Sequence, residues 1–266
     1  YGLTGDLAEY VKGVGKGIEY AVKDFQTEHP DVKIELIIED DKSCDKAVGV
    51  TGIQKLVNVD RVQAVVGVLC SGSVIAVSPI VEQNKVLLMS GSASSKEISK
   101  LGDYVFRTYS SDELRAKKVA DLLKQRKYKK AAFIYELEND GALTMTEDMI
   151  SFLGEGVSQK SHGISFKDLD FKSILTQIRQ NNPDVIVFSL VNTNQIIALF
   201  KQVKEMGLAM PLIAPNETVQ DNKVLEFSGS NEVIYTIFSM DETNYQYIEL
   251  KGRYEGGTGA TEAEVP

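Results

Sequence analysis

Hydrophobic and polar positions along the chain switch repeatedly between two periods. The run VKIELII sets Val32, Ile34, Leu36 and Ile38 on one face of an alternating stretch, which predicts a strand over 32–38. Ahead of it, Leu7, Val11, Val14, Ile18, Ala21, Val22 and Phe25 recur at helical spacing, with Thr4 or Asp6 as N-cap. A second helix is predicted over 45–58, then a strand at 62–68, a helix at 73–84 and strands at 86–90 and 104–108. The pattern restarts with helix 112–126, strand 131–135, helix 142–153, a short strand near 160–166 and helix 171–181. Strand 184–190, helix 194–206 and strands 211–214 and 233–239 follow. The closing RYEGGTGATEAEVP lacks an apolar period and reads as a loop or frayed end.

Strands that alternate with helices of roughly ten or more residues predict parallel sheets with right-handed crossovers. Two such series meet around Thr108–Asp112. The expected fold is therefore α/β, with two doubly wound parallel-sheet domains that meet around 108–112. A closed barrel would need eight even repeats and no such break.

Composition narrows the partners. The 266 residues suffice for one large or two medium domains, and 43% hydrophobic with 25% charged residues is ordinary for a globular protein. Thirty-eight acidic against 29 basic residues leave a net charge of −9, which argues against nucleic acid or an anionic membrane surface as partner. No apolar run approaches the roughly 18–20 residues of a membrane span, and no basic-then-apolar leader opens the sequence.

Ligands of open parallel sheets bind beyond the carboxyl ends of the strands. Two hydroxyl-rich turns leave such ends: CSGS at 70–73 and SGSASS at 90–95. Ser71, Ser92 and Ser94, with the amides that start helix 73–84, form a candidate carboxylate cradle; the plainer reading is a pair of tight turns. Catalytic signatures are not found. SGSAS lacks the G-x-S-x-G spacing, GVGKGIE is no P-loop, and His29 and His162 have no Ser or Asp partner context. NET at 216–218 is a glycosylation sequon by pattern only, and KQRKYKK at 124–130 reads as the solvated end of a helix. Cys44 and Cys70 belong to no metal-binding spacing, so neither a metal nor a cofactor is expected. Two readings stay open for them: buried free thiols, or a single disulfide in an exported protein.

The motifs DDKSCD (40–45), GVLCSGS (67–73) and MSGSASSKEI (89–98), in that order, resemble the branched-chain amino-acid (leucine/isoleucine/valine) binding proteins of bacterial ABC importers, which are type I periplasmic binding proteins. LTGDLAEYVKGVGKGIEYAV, VFRTYSSDE, DFKSILTQIRQNNPDVIVFS and FKQVKEMGLAMPLIAPN extend the likeness over nearly the whole chain. The resemblance implies that Cys44 and Cys70 pair and pin the loop beside the pocket. It implies that Ser71 donates to a ligand carboxylate, and that Ser92, Ala93 and Ser94 serve the α-carboxylate and α-ammonium. Tyr10 falls where an aromatic lines the side-chain pocket. Asp140 and Asn192 stand where many members place aromatics, and Asn216 where an acid meets the ammonium, with Glu217 one step along. Either Asp140 or Glu217 is then the ammonium partner, since a cation in a closed cleft needs a compensating charge.

The function implied is that of an extracytoplasmic solute-binding protein without enzyme activity. It would capture an amino acid or similar small carboxylate in the interdomain cleft and deliver it to the membrane permease of an ABC importer. The expected state is a monomer, periplasmic or extracellular, with a lipid anchor as an option. The alternative keeps the fold and makes the chain the ligand-sensing ectodomain of a receptor. The resemblance also implies a strand ahead of Tyr1, a final segment beyond Pro266 that returns to the first lobe, a first lobe of 1–109 with 238–266, a second of 110–237, and a multi-strand hinge between them near 108–112 and 236–239.

Overall fold

The computed structural model describes residues 1–4, 8–220, 222–238 and 243–258, with the side chains of 8–12 and 254–258 outside that set. Its elements are, in order, α1 (Ala8–Glu28), α2 (Lys46–Asn58), β1 (Ala64–Val66), α3 (Ser71–Asn84), β2 (Leu87–Ser90), β3 (Val105–Arg107), α4 (Asp112–Gln125), β4 (Lys130–Glu136) and α5 (Asp140–Leu153). Next come β5 (Ser158–Ile164), α6 (Lys172–Asn181), β6 (Val185–Ser189), α7 (Thr193–Glu205), β7 (Leu212–Ala214), α8 (Asn222–Leu225), β8 (Val233–Tyr235) and α9 (Tyr245–Thr258). All ladders among the described residues are parallel. The chain divides into two compact units: 1–93, 97–109 and 239–266 form the first, and 94–96 with 110–238 the second.

The first unit holds a sheet of order β1-β2-β3. Val65 and Leu88 pack against Ile53 and Leu56 of α2 and against Val74, Val77 and Val81 of α3. Helix α2 begins at a strong cap, since Asp45 accepts from the amides of Ala47 and Val48.

The second unit holds the order β5-β4-β6-β7-β8. Alternate residues of its strands feed two cores. Ile134, Ile186, Phe188 and Leu212 pack with α6 and α7. Phe133, Val185, Val187 and Ile213 pack with α4 and α5. Strand β6 is buried along its whole length, which explains the unbroken apolar run VIVF at 185–188. Phe188 meets Phe200 edge-to-face at 5.7 Å, a geometry worth about 1 kcal/mol beyond burial.

The α/β architecture with parallel sheets matches the expectation, while several boundaries do not. Residues 32–38 join no ladder, and Val32, Leu36 and Ile38 stand 42%, 40% and 47% exposed. Alternation proposes a strand, but only a neighbour makes one. Strand 62–68 shrinks to Ala64–Val66 because Gly67 turns the chain at φ +89. Helix 73–84 starts two residues early, at Ser71, because Cys70 is already extended and serves as its N-cap. Helix 142–153 likewise starts at Asp140, where the Asn139 side chain accepts from Ala142 N. Strand 160–166 moves to 158–164, with Lys130 opposite Ser158 and Glu136 opposite Ile164. Strand 233–239 ends at Tyr235, and Ser239 lies outside the described residues.

The closing loop is a helix as far as Thr258, tied down where Arg253 grips Asp24 and lies 5.2 Å from the Tyr20 ring; 259–266 lie outside the described residues. Of the two candidate caps for α1, Asp6 is outside that set, and Thr4 Oγ1 instead donates to Asp40 Oδ2 at 2.6 Å.

Candidate ligand-binding site

In the first unit the tips of β1 and β2 are stapled together by serines. Ser90 Oγ donates to Val68 O and accepts from Ala93 N at 3.2 Å. Ser92 Oγ donates to Leu69 O at 3.0 Å. Ser71 opens α3 and is 7% exposed, so the helix N-terminus and the two turns lie at one end of the sheet. Cys44 and Cys70 are joined in a disulfide with a Cα–Cα distance of 5.7 Å, so of the two readings of these thiols the disulfide, not a pair of free thiols, is the one observed. The bond fastens the residue before Ser71 to a turn in which Lys42, Ser43 and Cys44 are all left-handed. Asp41 helps hold that turn by accepting from Cys44 N at 3.3 Å.

Ser94 Oγ donates to Asp112 Oδ2, and Asp112 N returns a bond to Ser94 O at 2.9 Å. Beyond it, Thr144 Oγ1 bonds Ser95 Oγ at 3.3 Å, and Lys96 pairs with Asp148. A hydroxyl has one proton and two lone pairs. Ser92 and Ser94 have each committed that proton to a protein oxygen, so both oxygens offer acceptors.

The sheet order of the second unit reverses between β4 and β6, the switch point where α/β sheets open a crevice. Glu136, fully buried at the end of β4, accepts from Asn139 Nδ2 at 2.9 Å, Val191 N at 2.8 Å and Asn192 N at 3.1 Å. Burial pushes its carboxyl above the usual range, and the three hydrogen bonds oppose that rise. Asp140 begins α5, where a negative charge is favoured by the helix dipole.

Asn192 caps α7, accepting from Asn194 N at 3.0 Å and donating to Phe166 O at 3.2 Å. Asn216, 6% exposed, donates to Leu190 O at 3.1 Å and accepts from Thr218 N at 3.1 Å. Both amides shape loops, and the burial of Asn216 removes the NET sequon as a surface acceptor. Glu217 pairs with Arg115 at 2.7 Å, and the Arg115 guanidinium lies 3.9 Å from the Phe238 ring. Tyr10 falls within α1, but its side chain lies outside the described residues.

Sequence reasoning missed Ser90, Asp112, Arg115 and Glu136. Ser90 had a usable signal, since it ends a strand beside the turn that was singled out. No described helix is long and apolar enough to cross a membrane. Among the described residues no cluster of three or more His, Cys, Asp and Glu could hold a metal ion.

The leucine-specific-binding protein of Salmonella typhimurium is 25% identical over 222 residues, 80% of this chain and 58% of that protein's length. The chain thus spans a little under three-fifths of that relative. A leucine-binding protein from Thermotoga maritima superposes with a TM-score of 0.84 at 20% identity, covering 99% of this chain and 76% of the other. A solute-binding protein of an ABC transporter from R. palustris, solved with benzoate, gives 0.77 at 17%, with 97% and 72% covered. The periplasmic binding protein family model matches residues 1–261. The chain belongs to the periplasmic binding protein family.

Proposed function

We propose that this protein is an extracytoplasmic solute-binding protein that takes an amino acid or similar small carboxylate and presents it to the membrane permease of an ABC importer, without chemical turnover. Family membership supports the class of activity. The observation that carries the ligand class is the split of donors and acceptors at the serine turns. The buried Ser71 and the first amides of α3 suit a carboxylate. Ser92 and Ser94 oxygens, with Asp112 behind Ser94, suit an ammonium.

In the second unit Asp140, at the start of α5, and Glu217, paired with Arg115, are the two candidates for a compensating charge. Asn192 and Asn216 hold the loops that present it, and Ala93 contributes its backbone. Tyr10 keeps its assignment as a wall of the side-chain pocket. The protein acts as a monomer in the periplasm or outside the cell, with a lipid anchor compatible with that location. The two lobes, 1–109 with 238–266 and 110–237, close on the ligand by hinge bending.

A thermal-shift screen tests the reading. The panel is the common amino acids, their des-amino counterparts, benzoates and simple sugars. Stabilisation by one or more amino acids, lost in the des-amino counterpart, is the expected outcome. Stabilisation by sugars alone would sink the proposal.

A further inference from the structure

The chain carries 38 acidic and 29 basic residues, yet one end of the second unit reverses that balance. The run KQRKYKK at 124–130 closes α4 and enters β4 at the amino end of its strand. Two of its cations are engaged: Lys124 donates to Phe152 O at 2.6 Å, and Arg126 grips Glu232 with bonds of 2.7 and 2.9 Å. Lys130 differs. Its Nζ lies 3.5 Å from Asn181 O, at the end of α6, and it forms no ion pair among the described residues.

Strand β5 brings a second lysine beside it. The register sets Lys130 opposite Ser158, Ala132 opposite Lys160 and Ile134 opposite His162, and alternate rungs share a face. Ile134 packs with α6 and α7, so the two lysines, Ser158 and His162 belong to that face. There a cavity of about 270 Å³ is lined by Lys130, Ser158, Lys160, Asn181 and Pro183, and no acidic residue lines it. Two residues along and one strand across places the lysine Cβ atoms about 8 Å apart. Lys160, like Lys130, has no carboxylate partner among the described residues, so the two charges repel across the cavity. The negative groups at this end are already occupied. The carbonyls of Ile178 and Arg179 accept from Asn182 N, and Asp184 Oδ2 accepts from the amides of Lys129 and Lys130. His162 is 8% exposed and its Nε2 has no hydrogen-bond partner. Burial first, then the charge of Lys160, holds its ring below the ordinary imidazole range.

We propose that the cavity between β4, β5 and the end of α6 is a second binding site, for a phosphate-type oxyanion bridged by Lys130 and Lys160, with Ser158 Oγ as a further donor. Charge-assisted bonds from two ammonium groups suit a tetrahedral dianion, and its charge cancels the repulsion between them. The site lies at the amino ends of the strands, whereas Glu136 ends β4 at the other pole. It therefore stands apart from solute capture at the serine turns and does not depend on that reading. The same chemistry is offered by a free phosphate and by a lipid headgroup, which the test separates.

The chain has two histidines, so His29, on α1 of the first unit, serves as the internal control. Imidazole titration by NMR is run in sulfate and in chloride at equal ionic strength, since sulfate stays a dianion throughout. Sulfate raises the His162 midpoint by at least about half a pH unit and leaves that of His29 in place. The double variant Lys130→Gln with Lys160→Gln, both exposed positions, starts from a higher His162 midpoint in chloride and shows no further rise in sulfate. It also weakens binding of inorganic phosphate by at least about tenfold in calorimetry. Sedimentation with phosphatidylglycerol vesicles, against phosphatidylcholine, separates the sources: binding lost in the double variant assigns the site to a headgroup, and binding of inorganic phosphate alone assigns it to a free solute. A rise shared equally by both histidines, or one kept in the double variant, overturns the proposal as an adventitious ion only. No response of His162 to either anion overturns it outright.

Discussion

Ser94 and Asp112 are hydrogen-bonded twice: the serine hydroxyl donates to the aspartate carboxylate, and the aspartate amide donates to the serine carbonyl at 2.9 Å. The carboxylate fixes which way the hydroxyl points and leaves its oxygen as an acceptor. Ser94→Ala removes that acceptor and is expected to weaken binding of the best amino acid in the screen by about 10–100-fold. Asp112→Ala frees the hydroxyl to rotate and removes a charge, for a loss of at least about tenfold. Titration calorimetry with the amino acid and its des-amino analogue checks both. A loss confined to the amino acid is expected, and equal losses for the two ligands would contradict the assigned polarity.

Glu136 links stability to pH through its raised carboxyl. The folded state binds this proton more tightly than the unfolded chain, whose ordinary value is 4.5. Its contribution is therefore fully present below that value and is lost as pH rises through the folded one. Glu136→Gln abolishes that slope. It also sets a donor against Asn139 Nδ2, at a cost of about 1–3 kcal/mol. Urea midpoints for both proteins from acid to neutral pH read the slope and the offset together.

Asp40 behaves in the opposite sense. Bonds from Thr4 Oγ1 above all, then from the amides of Lys42, Thr4 and Leu3, hold its carboxyl at about 2, well below its ordinary 3.8. The stabilisation is present above 3.8 and disappears as pH falls towards 2. Asp40→Asn is expected to lose stability at neutral pH and to show a flatter acid limb, followed by circular dichroism down to pH 2.

The disulfide closes a loop with a sequence separation of 26. Its removal by Cys44→Ser with Cys70→Ser is expected to cost about 3–4 kcal/mol in a chain-entropy account. Because the bond fastens the residue before Ser71 to the turn that holds Cys44, the same variant is expected to bind ligand more weakly. Intact mass with and without reductant verifies the bond, and denaturant melts measure the loss.

Much of the second unit was legible in the sequence, and the reason is burial. DVIVFSL reads as a strand because both faces of Val185–Phe188 are covered and apolar, with the buried Ser189 hydrogen-bonded to Thr146. VKIELII misled for the converse reason: its alternation is real, but a ladder also needs a strand beside it, which no local pattern reports. The serine turns were legible because their place beyond strand ends is set by topology. The direction of each hydroxyl was not, since Leu69 O and Asp112 approach Ser92 and Ser94 from other parts of the chain. YELEND contains three acids, and nothing local marks Glu136 as the buried one. The pairing of Arg115 with Glu217 is set by tertiary contact alone.

Ser90 and Ser92 hand their protons to the carbonyls of the neighbouring turn, at Val68 and Leu69. Those staples close while the chain folds, so the turns meet an arriving molecule already immobilised and little loop entropy is forfeited at the encounter. Preference among candidate solutes is then expressed in how long each one stays. Across a ligand series, residence times should spread widely while arrival rates hardly change.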